Sequence, residues 1–249
     1  VLRRSVLLAL GLVAWASEAR AYRPFDGTDA DVAKPGELEL EVGTLGYLHT
    51  REGTYVAPVQ VINYGPIERV ELVFAARPSV PAFRADGPSF ALLDTTASVK
   101  TVLRKGVLQE LTGPSVALEL DALLPTLHGE PGAGAGADLI VSERLGFSTL
   151  HLNLEATRTR AKNADLEADL IAEGPPLVAQ ARPVVELSYE HEFSVASTAA
   201  ALVGFIDEIS ESFAPDAAFR FATSGQERVF ELRGGFTWDI ALVRGARGR

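Results

Sequence analysis

The stretch Leu150-His151-Leu152-Asn153-Leu154-Glu155-Ala156-Thr157 decides the fold. Leucine and alanine occupy every second position, and His, Asn, Glu and Thr occupy the positions between. Successive side chains of an extended strand point to opposite faces, so this octet has one apolar and one polar face. The same alternation recurs outward in both directions. Ala164, Leu166, Ala168 and Leu170 oppose Asp165, Glu167 and Asp169, and Leu38, Leu40 and Val42 oppose Glu37, Glu39 and Glu41. Near the C-terminus Phe230, Leu232, Phe236, Trp238, Ile240 and Leu242 oppose Glu231, Arg233, Thr237 and Asp239.

A soluble antiparallel sandwich also alternates. Against it stand the strand lengths, about ten to fourteen residues where the usual strand has about five or six. Ring residues also lie near segment ends, among them Tyr47, Tyr55, Tyr64, Phe147, Tyr189, Phe221 and Trp238, as an interfacial girdle requires. Strands are expected at 37–48, 54–64, 67–78, 89–104, 112–124, 137–145, 147–160, 164–173, 182–194, 197–211, 216–223 and 228–242. This is an all-β, antiparallel up-and-down transmembrane β-barrel of about twelve strands, an even number as bacterial single-chain barrels have. Leu202, Phe205, Ile206 and Ile209 also fit helical spacing over Thr198–Phe213, so ten strands plus a short helix is the alternative.

Arg3 and Arg4, an apolar run from Ser5 to Ala16, and Ala19-Arg20-Ala21 read as a secretory signal cleaved near Tyr22. The expected organisation is a signal peptide at 1–21, a periplasmic segment at 22–36, the barrel at 37–242 and a basic tail at 243–249. The apolar run is shorter than the ~20 residues of a spanning helix. No other run approaches that length, which leaves a closed barrel as the way into a membrane. The chain has no Cys, so an exported protein of this sequence relies on strand ladders rather than disulfides. The bacterial outer membrane is the expected location.

Net charge is −10, and cleavage after residue 21 removes three arginines and one glutamate, giving −12. Nucleic acid is excluded as a partner, because no basic stripe with interleaved aromatics is present. The acids belong on the polar faces of the strands, since carboxylates facing hydrocarbon are prohibitive. The expected lumen lining is Glu39, Glu41, Glu71, Glu119, Asp121, His151, Asn153, Glu155, Asp165, Glu167, Asp169, Glu186, Glu190, Glu192 and Glu231, with fewer cations such as Arg69, Lys100 and Arg233.

Motifs for other chemistry are weak. Asp26, Asp29 and Asp31 lack the glycine and bidentate glutamate of a calcium loop. Gly132, Gly134 and Gly136 are not followed by the Lys-Ser/Thr of a phosphate cradle. The four histidines show no zinc spacing, and no metal or cofactor is expected. His151, Asn153 and Glu155 share one strand face, as in barrels that hydrolyse lipids, but no nucleophilic serine is identifiable beside them in the sequence. A non-enzymatic role is expected.

Several stretches together resemble one family. They are Arg23-Pro24-Phe25, Thr28-Asp29-Ala30, Lys34-Pro35-Gly36-Glu37-Leu38-Glu39-Leu40-Glu41-Val42-Gly43, Asn63-Tyr64-Gly65-Pro66-Ile67-Glu68-Arg69-Val70-Glu71-Leu72, Leu124-Pro125-Thr126 and Leu150-His151-Leu152-Asn153-Leu154. In this order they resemble the bacterial meta-pathway of phenol degradation family of outer-membrane β-barrels. The resemblance implies a channel or transporter for small molecules, aromatic or hydrophobic ones among them, with outer-membrane lipid and the barrel assembly machinery as partners. The chain departs from the pattern at Asp29-Ala30-Asp31 and in its basic C-terminal tail. A barrel plugged by its own side chains, without transport, is the alternative; a barrel lipid hydrolase is a more distant one.

Overall fold

The computed structural model describes residues 23–83, 88–177 and 180–242. The signal peptide and the tail at 243–249 lie outside the described residues. Thirteen strands follow one another: β1 (Glu37–Thr50), β2 (Gly53–Val56), β3 (Gln60–Ile67), β4 (Val70–Phe83), β5 (Ala91–Arg104), β6 (Ser115–Leu123), β7 (Gly134–Leu145), β8 (Ser148–Arg158), β9 (Ala164–Glu173), β10 (Ala181–Glu192), β11 (Ala196–Asp207), β12 (Phe213–Ser224) and β13 (Glu227–Ala241). A 3-10 turn, Val107–Gln109, lies between β5 and β6.

Each strand pairs antiparallel with its neighbours, and β13 pairs with β1 from Glu37↔Ala241 to His49↔Phe230, which closes the sheet. β2 and β3 both pair with β1 and β4, so they are two halves of one stave and the barrel has twelve. Closure leaves no strand edge unpaired, the condition for strands to exist in hydrocarbon. A strand of twelve residues, such as β10, β11 or β12, is about 40 Å long. Tilted by about 45°, it spans a height close to the roughly 30 Å of a bilayer's apolar core.

The expected strand at 54–64 is continuous in sequence but interrupted at residues 57–59 in the structure. Pro58 has no N–H to give the ladder. The opposite strand β1 carries a register shift between Gly43 and Leu45, and the chains rejoin through Ala57 N–H to Gly46 O (2.7 Å) and Gly43 N–H to Val59 O (3.0 Å). Gly46 is required there, since a Cβ would lie 2.5 Å from the backbone of Pro58.

The helix alternative at Thr198–Phe213 gives way to β11 and the start of β12. Its outward residues Ala199, Ala201, Val203 and Phe205 alternate with inward Leu202 and Ile206, which are fully buried. Because both faces of β11 are apolar, its sequence imitates helical periodicity.

Polarity is inverted relative to a soluble protein. The outward faces expose Leu152, Leu154, Leu166, Leu170, Val185 and Leu187, each 39–54% exposed, with Tyr47, Tyr189, Phe193, Phe230 and Trp238 on the same surface. Among the described residues the buried side chains are largely polar, and the apolar packing inside includes two small clusters. A greasy exterior around a polar interior is what a hydrocarbon solvent selects.

Candidate functional site: the inner wall and the segment within it

Residues 23–36, the described part of the segment expected at 22–36, run along the inward faces of the barrel strands. It begins against β12 and β13, where Arg23 Nε donates to Asp216 Oδ2 (3.1 Å) and Arg233 Nη1 donates to Pro24 O (2.8 Å). Phe25 packs on Val184, Ile206 and Ala214 of three consecutive strands. The Asp26 carboxylate accepts from Arg220 Nε (2.5 Å) and Arg233 Nη2 (2.6 Å), while the N–H groups of Asp26 and Gly27 donate to Glu186 at 2.9 and 2.8 Å. Burial acts to raise Asp26, but Arg233 and Arg220 outweigh it and hold its carboxyl well below the usual range.

Farther along, Thr28 and Asn153 exchange two hydrogen bonds, N–H to Oδ1 (2.5 Å) and Nδ2 to O (2.8 Å), and Lys100 Nζ donates to Thr28 Oγ1 (3.0 Å). Gly27 allows this approach, because a Cβ there would lie 2.5 Å from Asn153 Oδ1. Ala30 N–H donates to Ser142 Oγ (3.0 Å), and Gln109 Nε2 donates to Ala30 O and Asp31 Oδ1 at 3.1 and 2.9 Å. Burial pushes Asp29 up to about 7 against the opposing pull of Lys100 and His151. The segment leaves the interior beside β3, where Pro35 bridges to Gly65 and Gly36 N–H donates to Gly65 O (2.7 Å).

The fifteen residues assigned to the lumen from strand phase fall on the inward faces, but in three different environments. Glu39 and Glu41 lie together, both accepting from Asn63 Nδ2 at 2.8 Å, with Glu71 buried nearby on β4. Glu186, Asn153 and His151 are engaged with the segment or beneath it, and Glu231 is paired with Arg233 (2.8 Å) and Arg77 (3.4 Å). Glu119, Asp121, Glu155, Asp165, Glu167, Asp169, Glu190 and Glu192 form an acidic wall over β6, β8, β9 and β10. Asp121 there accepts from Ser98 (2.5 Å), and Glu192 accepts from Asn163 Nδ2 (2.9 Å).

Arg69, expected among the lumen cations, lies instead in the exposed turn between β3 and β4 with φ 68°. Residues that strand phase did not single out also line the interior. They include Asp138 on β7, Glu173 on β9, and Arg182, Asp216 and Arg220 on β10 and β12. Their alternation is readable in sequence, and the apolar stretches around Asp138 and Asp216 are what obscure it.

The structure supplies the serine that the sequence left unidentified. Ser142 Oγ is 2.8 Å from His151 Nδ1, and His151 Nε2 is 3.3 Å from Glu173 Oε1 without hydrogen-bond alignment. Ser142 Oγ also accepts from Ala30 N–H (3.0 Å). Ser142 is completely buried and His151 is 1% exposed. Glu173 is also engaged by Arg182. The hydroxyl lies under the segment, within hydrogen-bond reach of Ala30 N–H. Among the described residues no group of His, Asp and Glu converges to hold a metal ion.

These features define a class, a closed antiparallel β-barrel of twelve staves with a polar interior and an internal segment ahead of its first strand. No family model matches the chain, and no curated protein matches it in sequence. Among solved structures it is similar to the COG4313 outer membrane channel from Pseudomonas putida F1 with a TM-score of 0.62 at 10% identity, over 87% of this chain and 100% of that one. It is also similar to the KdgM porin (TM-score 0.53, 8% identity, 81% and 98% covered) and to the CymD monoaromatic hydrocarbon channel (TM-score 0.50, 10% identity, 86% and 90% covered). At these identities the likeness is one of fold.

Proposed function

We propose that this chain is an outer-membrane channel for small solutes whose lumen favours cations, with the segment at 23–36 setting how far the lumen is open. The observation that carries the reading is the inversion of polarity. An apolar exterior surrounds an inner wall on which acids outnumber Lys and Arg. A water-filled bore with low-dielectric walls and a lining of carboxylates concentrates cations and repels small anions, most strongly at low salt. A barrel of twelve staves is narrower than the sixteen- to eighteen-stranded porins, so side chains and an internal segment are enough to restrict it.

The similarity to channels, one of them for monoaromatic hydrocarbons, supports passage of small solutes, and the resemblance of several stretches to the phenol meta-pathway family supports aromatic ones among them. The second reading is a barrel kept shut by its own segment, and it is favoured by the hydrogen bonds from 23–36 to β5, β7, β8, β10, β12 and β13. A liposome-flux assay separates the two. Potassium flux exceeding chloride flux supports the channel, and absence of any flux in both the parent and a variant with the segment loosened supports the closed barrel.

A further inference from the structure

The pairing register aligns acids that are far apart in sequence. Glu119 lies directly opposite Asp138, Asp138 opposite Glu155, Glu155 opposite Glu167, and Glu167 opposite Glu190. Five adjacent strands thus present five inward carboxylates in one unbroken row, at the roughly 4.8 Å spacing of neighbouring strands. Directly opposed like charges weaken a sheet, and a sequence that repeats the arrangement four times over implies something that compensates it. Lys100 stands opposite Glu119 at one end of the row. Among the described residues no Lys or Arg forms an ion pair with Asp138, Glu155, Glu167 or Glu190.

A second observation lies beside the row. Asp169, two residues along β9 from Glu167 on the same inward face, is 5% exposed, and its Oδ1 has no hydrogen-bond partner. Its cross-strand neighbours are Asn153 and Ser188, and Asn153 is turned to Thr28 of the segment instead. A buried carboxylate oxygen left without a donor marks a place for one.

The shape of the row selects the ligand. The acids do not converge on a point, so they do not build the compact oxygen cage that a divalent metal needs. Because barrel strands tilt, a row perpendicular to them climbs the wall as a slanted track. It borders the internal segment, which holds Asn153 and Glu186 on the same strands. We infer that this row binds a linear oligoamine, with ammonium groups on three- or four-carbon spacers seated against successive carboxylates. The inference rests on the cation-favouring channel reading and names the solute class it admits.

The test is isothermal titration calorimetry on the full chain folded in detergent at low salt, which needs no flux. The probes are spermidine, butylamine and magnesium chloride. Spermidine is expected to bind at least about tenfold more tightly than butylamine, because each further ammonium engages a site already within reach. It is also expected to bind more tightly than magnesium, and to weaken as salt is added.

Glu155→Gln with Glu167→Gln should lower spermidine affinity by about tenfold, as the loss of two linked contacts does. An equal charge change at the exposed turn acids Glu52→Gln and Glu211→Gln should leave it unchanged. If the double variant does not fold, Glu167→Gln alone is held to a measurable loss. Equal binding of spermidine and butylamine, tighter binding of magnesium, or affinity unmoved by the row substitutions would overturn the inference. Binding without flux would uphold the row and reject the channel reading, and flux without spermidine binding would do the reverse.

Discussion

Asp26 shows how little of the interior is visible to local reading. In sequence it belongs to an acidic cluster with Asp29 and Asp31, and nothing adjacent explains it. Its partners Arg220 and Arg233 lie 194 and 207 residues away. Asp26→Asn keeps the shape and removes the charge, so the segment should detach more readily and ion flux through the barrel should rise. Unchanged flux would mean that the segment is not held by this clamp. Gly27→Ala works by size, placing a methyl 2.5 Å from Asn153 Oδ1. It should loosen the same contact and raise flux without altering charge. Arg233 joins Asp26, Glu231 and Pro24 O while being 5% exposed. Arg233→Ala leaves Glu231 and Asp26 short of a counter-charge. Removal of one partner from a buried pair costs about 3–5 kcal/mol, an upper value here because Asp26 is partly hydrated. The measurement is the denaturant midpoint of the folded barrel, and an unshifted midpoint would count against a structural role for this arginine.

At the level of strands the sequence was far more legible. The period of two assigned inward and outward faces to β1, β8, β9, β10 and β13 with no help from tertiary contacts, because hydrocarbon outside and polar groups inside leave each face a single chemistry. Legibility fails where that contrast disappears. β11, expected as a strand, carries apolar residues on both faces, since Leu202 and Ile206 line an apolar patch of the inner wall, and its sequence therefore also fits helical spacing. The break at Pro58 faces the part of β1 whose register against β13 shifts between Gly43 and Leu45, a match that no single strand discloses. The sharpest test of phase uses neighbours on β8. Leu154→Arg places a cation on the outer face, where it costs roughly 2–4 kcal/mol near the midplane of a bilayer. Glu155→Gln changes only the inner face. Assembly into lipid vesicles, read by the gel-mobility shift on boiling, should fall sharply for the first and stay near the parent for the second. Equal tolerance of both would remove the strand from the membrane.

For the whole molecule, an acidic interior and an internal segment are two answers to one problem. A barrel of this circumference lined by carboxylates repels itself, and the chain relieves part of that repulsion by threading backbone N–H groups and arginines among the acids. Glu186 accepts two N–H groups of the segment, Asp216 takes Arg23, and Asn63 bridges Glu39 and Glu41. In the acidic wall over β6 to β10, neutral donors serve instead, Ser98 on Asp121 and Asn163 on Glu192. Composition announced the acidity, but only the register revealed that acids of separate strands stand side by side.

The most direct measurement is the reversal potential of the folded chain in a planar bilayer under a potassium chloride gradient, for the parent and for Asp26→Asn. Selectivity should favour potassium in both, grow as salt is diluted, and accompany a larger conductance in the variant. A chloride-selective reversal potential, or one that ignores dilution, would contradict a lumen lined by these carboxylates.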